Sequence, residues 1–319
     1  MPRRSPQKLL TGILIFLIAC SPLQQATLRP PGPPPGTPLS LEFGYGTRLD
    51  INDPHLETSL RLTAQHGLNW VALDFDWEAV QPAPDAWNHR SSLSEALRLA
   101  HSLGLNTLVS IKNPPDWALS VDGPGAKYTI ELVSRLLHAD WPATAIELFP
   151  GANTSAGWKA TPNAIAYASL YQQVQAHLEA EHHKVYLVAG GLSNRLLSTE
   201  DLPDVDFLGQ LYTAGLRPAI ISLGLHAING DVFSPPAVDV LRHYEELRAV
   251  MISHQHKDGL LWITDFYLSA EIQAEPWLKQ AYPMMKSQLY LGAVFCPQAY
   301  LAAYPKMFML WLQTGQESN

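Results

Sequence analysis

The sequence predicts a single domain folded as a closed barrel of eight parallel β-strands surrounded by helices, the (β/α)8 or TIM barrel. Three observations carry this prediction. Short apolar runs alternate with amphipathic stretches to the end of the chain. They fill about 270 residues, close to the usual barrel size of about 250. No glycine-rich loop has dinucleotide or Walker spacing, which disfavours an open doubly wound sheet, the main alternative.

The first 19 residues are predicted to be a secretion signal. Three basic residues precede the apolar run 9–19, which is short for a membrane span of about 20 residues. The run ends in Leu-Ile-Ala-Cys, which resembles a bacterial lipobox, and this resemblance implies that Cys20 carries lipid. The body is therefore expected to lie outside the cytoplasm, anchored in the cell envelope. An uncleaved anchor with an incidental Cys20 is the alternative.

Residues 20–40 are predicted to be an extended tether. Prolines and glycines crowd the stretch 30–38, and proline has no backbone N–H to donate to a helix or a sheet. The remaining segment, 41–319, is assigned to the barrel.

The composition limits the classes of partner. The net charge is -8, with 21 basic against 29 acidic residues, so attraction to polyanions is weak and nucleic acid is not an expected partner. A neutral ligand fits better. The two cysteines make no disulfide framework, Cys296 is expected to be a small buried hydrophobe, and no metal or cofactor motif is found.

The strands and helices follow from hydrophobic periodicity. Short apolar, β-branched or aromatic runs mark strands, and apolar residues at helical spacing mark helices. The predicted strands are 41–44, 70–74, 107–111, 145–149, 185–189, 219–225, 260–264 and 293–295. The predicted helices are 54–66, 93–103, 129–138, 163–181, 206–214, 236–254 and 274–289.

The candidate functional residues stand where the strands end, because the C-terminal ends of barrel strands carry the active sites of this fold. Acidic, aromatic and amide side chains collect there. They are Asp74, Asp76, Trp77 and Glu78 after strand two, Trp117 after strand three, Glu147, Asn153 and Trp158 on and after strand four, His226 on strand six, and Asp265 and Tyr267 on strand seven.

Taken in order, these residues resemble the clan A glycoside hydrolases, which are retaining (β/α)8 enzymes that cleave polysaccharides and oligosaccharides. The resemblance covers about residues 41 to 267. Five short motifs carry it: Trp77 with Gln81-Pro82, Pro115-Asp116-Trp117-Ala118, the strand-four segment 147–153, His226, and Thr264-Asp265-Phe266-Tyr267.

The sequence departs from that family at the two positions that carry the chemistry. Aligning Glu147 and Asn153 with the ends of the strand-four motif leaves Gly151 where the resemblance implies the general acid/base glutamate. The nucleophile position holds Asp265, which is one methylene shorter. Retaining enzymes need two carboxyl groups about 5–5.5 Å apart, and a general acid contributes about 10²–10⁴-fold. Ordinary retaining hydrolysis at these positions is therefore not expected.

The candidate roles follow from the residue types. Asp265, Glu147, Asp76 and Glu78 are the candidate catalytic carboxylates, with Asp76 or Glu78 as a substitute proton donor. Glu147 lies about 13 Å deeper than position 151, and a buried, paired carboxylate is the favoured interpretation there. The predicted glycan contacts are stacking by Trp77, Trp117 and Trp158 and hydrogen bonding by Asp265, His226 and Asn153. Tyr267 is a further candidate substrate-binding residue. Core packing of the aromatic residues and a solvated acidic loop are the alternatives.

Three functions remain open from the sequence. The first is a membrane-anchored, extracytoplasmic, glycoside-hydrolase-like protein that binds a carbohydrate or hydrolyses it weakly. The second is an active glycosidase that uses Asp265 with Asp76 or Glu78. The third is a non-catalytic scaffold of the envelope, with its cleft filled by Phe149, Phe266 and Tyr267.

Overall fold

The computed structural model describes residues 43–88, 90–138, 142–227, 242–268, 279, 281 and 283–303. The predicted signal, the predicted tether and Cys20 lie outside these residues. None of the helices within the described ranges is long and apolar enough to cross a membrane.

Eight parallel strands close into a barrel, which confirms the predicted fold. Around the barrel the strands follow the order β1-β8-β7-β6-β5-β4-β3-β2, so every strand lies beside its neighbours in the chain. The strands are β1 Gly44–Asp50, β2 Trp70–Asp76, β3 Asn106–Lys112, β4 Ala145–Leu148, β5 Tyr186–Ser193, β6 Ile220–Ala227, β7 Leu260–Leu268 and β8 Leu291–Pro297.

The helices lie in the connections between the strands and cover the outside of the barrel. They are α1 Leu56–Gln65, α2 Trp77–Val80, α3 Arg90–Ser102, α4 Ala126–Leu137, α5 Ser155–Trp158, α6 Ala164–Ala180, α7 Asp204–Thr213, α8 Tyr244–Ser253 and α9 Gln298–Ala303. Five predicted helices correspond to α1, α3, α4, α6 and α7. The predicted helix 236–254 is described from residue 242 and is helical from Tyr244, and much of 274–289 lies outside the described residues.

The first strand is the main correction to the predicted elements, because β1 runs from Gly44 to Asp50 rather than over 41–44. Two glycines and an arginine interrupt the run of apolar residues by which a strand is predicted. A Cβ at Gly46 would overlap the ring of Phe295, and one at Gly44 would lie 2.7 Å from the Cβ of Ala293. The close approach of neighbouring side chains selects glycine at these positions, against strand propensity.

Aromatic side chains fill the N-terminal end of the barrel interior. Trp70 packs edge-on against Trp262 and Phe295, at centroid distances of 5.1 and 6.2 Å, and Tyr186 lies 6.2 Å from Trp262. All four side chains are buried. This aromatic layer fills the N-terminal end of the barrel interior with apolar side chains.

Candidate active site at the barrel mouth

A buried arginine organises the interior above the aromatic layer. Arg48 projects from β1, and its Nη2 lies 2.6 Å from Asp74 Oδ1 and donates to Ser110 Oγ at 2.9 Å. Its Nη1 donates to the carbonyl oxygen of Thr264 at 2.8 Å. One guanidinium thus connects β1, β2, β3 and β7.

The charge of Arg48 is secured by its neighbours. Burial alone would lower its pKa, but the negative charges of Asp74, Glu147 and Asp265 raise it above its ordinary value. Arg48 is therefore a permanent cation beneath the barrel mouth. The mouth is the C-terminal end of the strands, where His226, Asp265 and Tyr267 lie.

Glu147 lies in the same network and out of reach of solvent. Its side chain is 0% exposed. Ser110 Oγ donates to Oε2, Thr264 Oγ1 donates to Oε1 at 2.6 Å, and Arg48 Nη1 lies 3.6 Å from Oε2. This placement supports the interpretation of Glu147 as a buried, paired carboxylate and argues against its predicted catalytic role.

Lys112 is the cation of this network that reaches solvent. It ends β3, and its Nζ donates to Asp74 Oδ2 at 2.9 Å. The side chain of Lys112 is 35% exposed, against 11% for Arg48. Asp74 is therefore held between one buried cation and one accessible cation.

A bulge in β7 brings Asp265 to the mouth. Leu223 pairs with Ile263 and Gly224 pairs with Asp265, so Thr264 is an extra residue between the two pairs. The side chains of two consecutive residues therefore both make contacts inside the barrel. Thr264 hydrogen-bonds Glu147, and Asp265 hydrogen-bonds His226.

Asp265 is an accessible carboxylate that stays ionised. Its Oδ2 lies 3.4 Å from His226 Nε2, and its side chain is 44% exposed. Burial alone would raise the pKa of Asp265. The hydrogen bond with His226 and the charges of Arg48 and Lys112 outweigh burial, and the pKa lies below its ordinary value of 3.8.

Two residues at the end of β5 hold His226. Asn194 Oδ1 accepts from the backbone N–H of His226 at 2.9 Å, and Asn194 Nδ2 donates to its carbonyl oxygen at 3.3 Å. Ser193 Oγ lies 3.2 Å from His226 Nδ1. Because the Asp265 carboxylate only accepts hydrogen bonds, we assign the proton of a neutral imidazole to Nε2 and the acceptor role to Nδ1.

Gly151 has a left-handed backbone conformation, in which a residue with a side chain would be strained. Its φ is +80°, and a Cβ there would lie 3.2 Å from Thr154 Oγ1 and 3.6 Å from Gly157 Cα. The N–H of Gly151 donates to the carbonyl oxygen of Gly191 at 2.7 Å. A side chain at 151 would therefore be strained and would begin inside its own loop.

Asn153 has a structural role that differs from the predicted glycan contact. Its side chain is buried. Its Nδ2 donates to the carbonyl oxygens of Ser193 and Leu202, both at 2.8 Å, and its Oδ1 accepts from the N–H of Ser193 at 2.8 Å. The amide joins the loops after β4 and β5, and its hydrogen-bonding groups are already engaged by the protein.

Asp201 joins the same two loops and was not predicted. It accepts from the N–H groups of Ser155, Leu197 and Ser198 at 2.8, 2.7 and 3.0 Å. Burial would raise its pKa, but the N–H donors and the Ser155 hydroxyl lower it. An aspartate in the polar stretch Ser198–Asp201 has the sequence signal of a solvated loop, so only the tertiary contacts reveal its role.

The two proposed substitute acids are engaged elsewhere. Asp76 Oδ1 accepts from the N–H of Ala79 at 3.0 Å, capping α2, and from Asn113 Nδ2 at 2.9 Å. Glu78 is 51% exposed and lies 3.9 Å from Lys159 Nζ. Neither placement resembles a desolvated carboxyl held for proton donation.

The tryptophans Trp77, Trp117 and Trp158 pack mainly between the strands and the helices rather than facing the barrel mouth. The prediction that they form a stacking platform for a sugar is therefore wrong. Trp77 and Trp158 are buried, and both contact the ring of Phe149, at centroid distances of 6.4 and 6.0 Å. Trp117 is partly buried against Trp77 and Tyr128. These rings fill the layer between the strands and the helices, because they follow the strand ends and turn outward.

Tyr267 is the predicted aromatic contact that stays accessible. Its side chain is exposed, and its Cα pairs with that of His226 across β6 and β7. The structure therefore brings together three predicted site residues, Asp265, His226 and Tyr267. Of the residues predicted to plug a scaffold's cleft, Phe149 packs outward, and the Phe266 side chain lies outside the described part.

Sequence reasoning missed Arg48, Lys112, Ser193 and Asn194. A usable signal existed for the two cations, because residues at i, i+2 and i+4 of a strand share one face. With β1 placed correctly, Gly44, Gly46 and Arg48 share the inner face.

Within the described ranges, no group of three or more His, Cys, Asp or Glu side chains could hold a metal ion.

Comparison with solved structures supports the fold, whereas two other comparisons find no match. No protein-family model matches this chain. No curated protein matches it either. Solved structures do match.

One is the exo-β-1,4-mannosidase Op5Man5 from Opitutaceae bacterium strain TAV5, with a TM-score of 0.59, 13% identity, and coverage of 80% of this chain and 51% of that chain. Another is a family 39 glycoside hydrolase from Bacteroides cellulosilyticus WH2, with a TM-score of 0.54, 15% identity, and coverage of 79% and 55%. A third is a GH5_18 protein from Bifidobacterium longum subsp. infantis, with a TM-score of 0.58, 15% identity, and coverage of 80% and 69%.

These likenesses show a (β/α)8 barrel of the kind found in clan A glycoside hydrolases. The chain spans only about half the length of the first two structures. At such identities the likeness establishes the fold, and the site must be interpreted from its own residues.

Proposed function

We propose that this protein is a glycoside-hydrolase-like barrel that binds a glycan at its mouth and lacks the usual proton donor. The observation that carries the proposal is the pair of Asp265 and His226. It presents an accessible, ionised carboxylate above a buried cation, in a barrel that is closed at its other end. Sugars offer rows of hydroxyl donors, and a carboxylate is a strong acceptor for them.

The surroundings of this pair suit a carbohydrate. Tyr267 offers an exposed ring beside His226, and such a ring can stack on the apolar face of a sugar. Lys112 adds an accessible donor. The matching solved structures include a mannosidase and other glycoside hydrolases, which adds support for a carbohydrate ligand.

Weak hydrolysis, rather than efficient hydrolysis, follows from the strand-four loop. The position that would hold the acid is Gly151 in a left-handed conformation. A missing general acid lowers a glycosidase rate by about 10²–10⁴-fold. The hypothesis of an active enzyme with Asp76 or Glu78 as acid gains no support from the positions of these side chains.

Calorimetry against a polysaccharide panel, guided by a glycan array, tests the binding proposal. We expect Asp265→Asn to weaken binding by about 10- to 100-fold, since a hydrogen bond to a charged group is worth about 1.5–3 kcal/mol. Glu131→Gln is the matched control, because it removes one exposed carboxylate from α4. A protein that binds no polysaccharide would overturn the proposal.

We further propose that Cys20 is lipidated and tethers the barrel to a membrane outside the cytoplasm. The lipobox-like residues 17–20 support this. Detergent partitioning of the full chain made in a bacterial host is the measurement. The native chain should enter the detergent phase, and Cys20→Ala should remain in the aqueous phase. Equal partitioning of the two proteins would contradict lipidation.

A further inference from the structure

We propose that the glycan bound at this mouth carries free amino groups, as in a hexosamine oligomer whose nitrogen atoms are ammonium groups rather than amides. Asp265 is the side chain that pairs with one of these ammonium groups, and Tyr267 lies beside it. The inference rests on the proposed function and narrows it from any carbohydrate to a cationic one.

The first step of the argument is the balance of charge beneath the mouth. Arg48 and Lys112 both contact Asp74, at 2.6 and 2.9 Å, and Arg48 Nη1 lies 3.6 Å from Glu147 Oε2. Two cations therefore face two carboxylates, and these four charges sum to zero. The carboxylate of Asp265 is additional to this balance. With a neutral imidazole beside it, the site as a whole carries one negative charge.

The second step is the freedom of Asp265 to bind a ligand. Within the described residues, His226 is the only basic side chain that lies within 4.0 Å of the Asp265 carboxylate. The hydrogen bond with His226 Nε2 engages Oδ2 at 3.4 Å, and no hydrogen bond among the described residues engages Oδ1. An ionised carboxylate accepts hydrogen bonds at both oxygens. Asp265 can therefore still accept from an ammonium group.

The third step is the reason why a cationic ligand suits this carboxylate. A neutral sugar that covered Asp265 would remove water from the carboxylate without neutralising its charge, which is costly. An ammonium group supplies hydrogen-bond donors and the opposite charge together. A free amine on the ligand therefore offsets the cost of desolvation.

Tyr267 gives separate support for a cation. The register of β6 and β7 is regular from Asp265 onward, and Asp265 and Tyr267 are two residues apart, so their side chains share one face of β7. The ring of Tyr267 is exposed, and its Cα pairs with that of His226. The face of an aromatic ring attracts a cation. A carboxylate and an exposed ring on one face together suit an ammonium group.

The segments around the mouth carry charge of the same sign. The segments that follow β1 to β5 contain seven acidic residues and two basic ones. They are residues 51–55, 77–89, 113–125, 149–163 and 194–203.

The opposite end of the barrel is balanced. The segments that precede β2 to β7 contain three acidic and three basic residues. They are residues 66–69, 103–105, 138–144, 181–185, 214–219 and 254–259. Negative charge is therefore concentrated at the end where the ligand is proposed to bind, and it attracts a cation there.

The chain that follows β6 and β7 does not reverse this sign. Residues 228–241 contain two acidic residues and no lysine or arginine, and residues 269–282 contain two acidic residues and one lysine. These counts depend on the sequence alone, so they hold wherever the side chains lie.

The test varies one substituent on a constant backbone. The β-1,4-linked pentasaccharides of glucose, N-acetylglucosamine and glucosamine differ only at carbon 2, which carries a hydroxyl, an amide or an ammonium group. Calorimetry measures the dissociation constant of each, and the β-1,6-linked counterparts add a second linkage. We expect the glucosamine oligomer to bind about 10-fold more tightly than the other two, as for a hydrogen bond to a charged group. Raising the salt concentration should weaken the binding of this oligomer alone.

Variants of Asp265 separate charge from hydrogen bonding. Asp265→Asn keeps an acceptor oxygen and removes the charge, so the preference for the glucosamine oligomer should fall to a ratio of about 1. Asp265→Glu keeps the charge and should retain the preference. Asp85→Asn is the matched control, because it removes an exposed carboxylate from the segment after β2 and should change the ratio by less than about 2-fold. Circular dichroism shows whether each variant stays folded.

Variants of Tyr267 test the ring. Tyr267→Leu should weaken binding of the glucosamine oligomer by about 2- to 5-fold, and Tyr267→Phe should retain the affinity because phenylalanine keeps the aromatic face.

The outcomes separate this inference from the proposed function. A glucosamine oligomer that binds no more tightly than its glucose or N-acetylglucosamine counterpart would overturn the inference, and so would a preference that survives Asp265→Asn. Binding of another polysaccharide without binding of any of these oligomers would also overturn the inference, while leaving the binding function intact. Absence of binding to every glycan would overturn the proposed function itself.

Discussion

The two ends of the barrel interior differ in the chemistry of their side chains. The N-terminal end is a layer of aromatic rings around Trp70, Trp262 and Phe295, with glycine in β1 where the rings come closest. The C-terminal end is a charged network centred on Arg48, with the partly buried Asp74 and the fully buried Glu147 as its anions. Both layers lie inside the same eight strands.

The two ends differ in what stabilises them. Burial of apolar rings is non-directional and stabilises the closed end without polar partners. Buried charges lose hydration and are tolerated only when they are paired, so the network at the mouth is sensitive to any missing member. The charged network therefore costs stability, which the apolar packing of the aromatic layer offsets.

The largest expected effect comes from breaking the charged layer. Arg48→Met leaves Glu147 and Asp74 without their shared cation, and we expect the free energy of unfolding to fall by about 3–5 kcal/mol. Urea denaturation measures this loss. Arg61→Met is the control, because Arg61 pairs with Glu57 on the exposed face of α1 and should cost less than about 1 kcal/mol. Equal losses in the two variants would refute the central role of Arg48.

A methyl group tests the fit of the aromatic layer. In Gly46→Ala the new Cβ meets the ring of Phe295, and overpacking of this kind should cost about 1–3 kcal/mol. The same substitution at Gly209 in α7 has open space around it and should stabilise the protein by about 0.5–1 kcal/mol. Opposite signs in thermal or urea denaturation are the expected result, and a neutral Gly46→Ala would show that the layer is loosely packed.

A glutamate at position 151 tests whether the mouth is one step from an ordinary glycosidase. Gly151→Glu places a side chain at positive φ, with a strain of about 1–2 kcal/mol, and its Cβ starts beside Thr154 and Gly157. We expect lower stability and no gain in hydrolysis of phenyl glycosides. Gly104→Glu has a similar φ with open space around it and controls for the strain. A gain of activity at 151 would mean that the loop rearranges to admit an acid.

The smallest expected effect is a titration in the helical shell, outside both layers. His243 Nε2 lies 2.6 Å from Asp204 Oδ2, between the N-terminal ends of α7 and α8. Burial would lower the pKa of His243, but the hydrogen bond and the charges of Asp204 and Glu246 raise it above 6.5.

The raised pKa sets the pH window of this contribution. Stability from the charged pair is complete below pH 6.5, the ordinary pKa of histidine, and is lost as pH rises through the higher folded value. The effect is small because a neutral imidazole still hydrogen-bonds Asp204. Unfolding of the wild type and His243→Gln should therefore differ more in weak acid than in weak base. A difference that grows with pH would contradict this assignment.

Much of the fold could be predicted because its signals are local. Seven of the eight strands were placed near their observed positions, since each carries a run of apolar residues bounded by polar ones. β1 was misplaced because its inner face consists of Gly44, Gly46 and Arg48, whose identities are explained by residues far away in the chain.

The site could be predicted only in outline. Asp265, His226 and Tyr267 were found from their positions at strand ends, and they do meet. Trp77, Trp158 and Asn153 have the same signal, yet they turn into the outer layer or join loops. The direction of a side chain after a strand end depends on loop geometry, which short motifs do not encode.

The sequence by itself determined the alternation of strands and helices and the absence of an acid at Gly151, because these depend on residue identity and short periodicity. Tertiary structure alone decided that Arg48 links four strands, that a bulge at Thr264 turns Asp265 to the mouth, and that Lys112 is the accessible cation. These features depend on strand register and on contacts between residues distant in the chain, which arise only when the barrel closes.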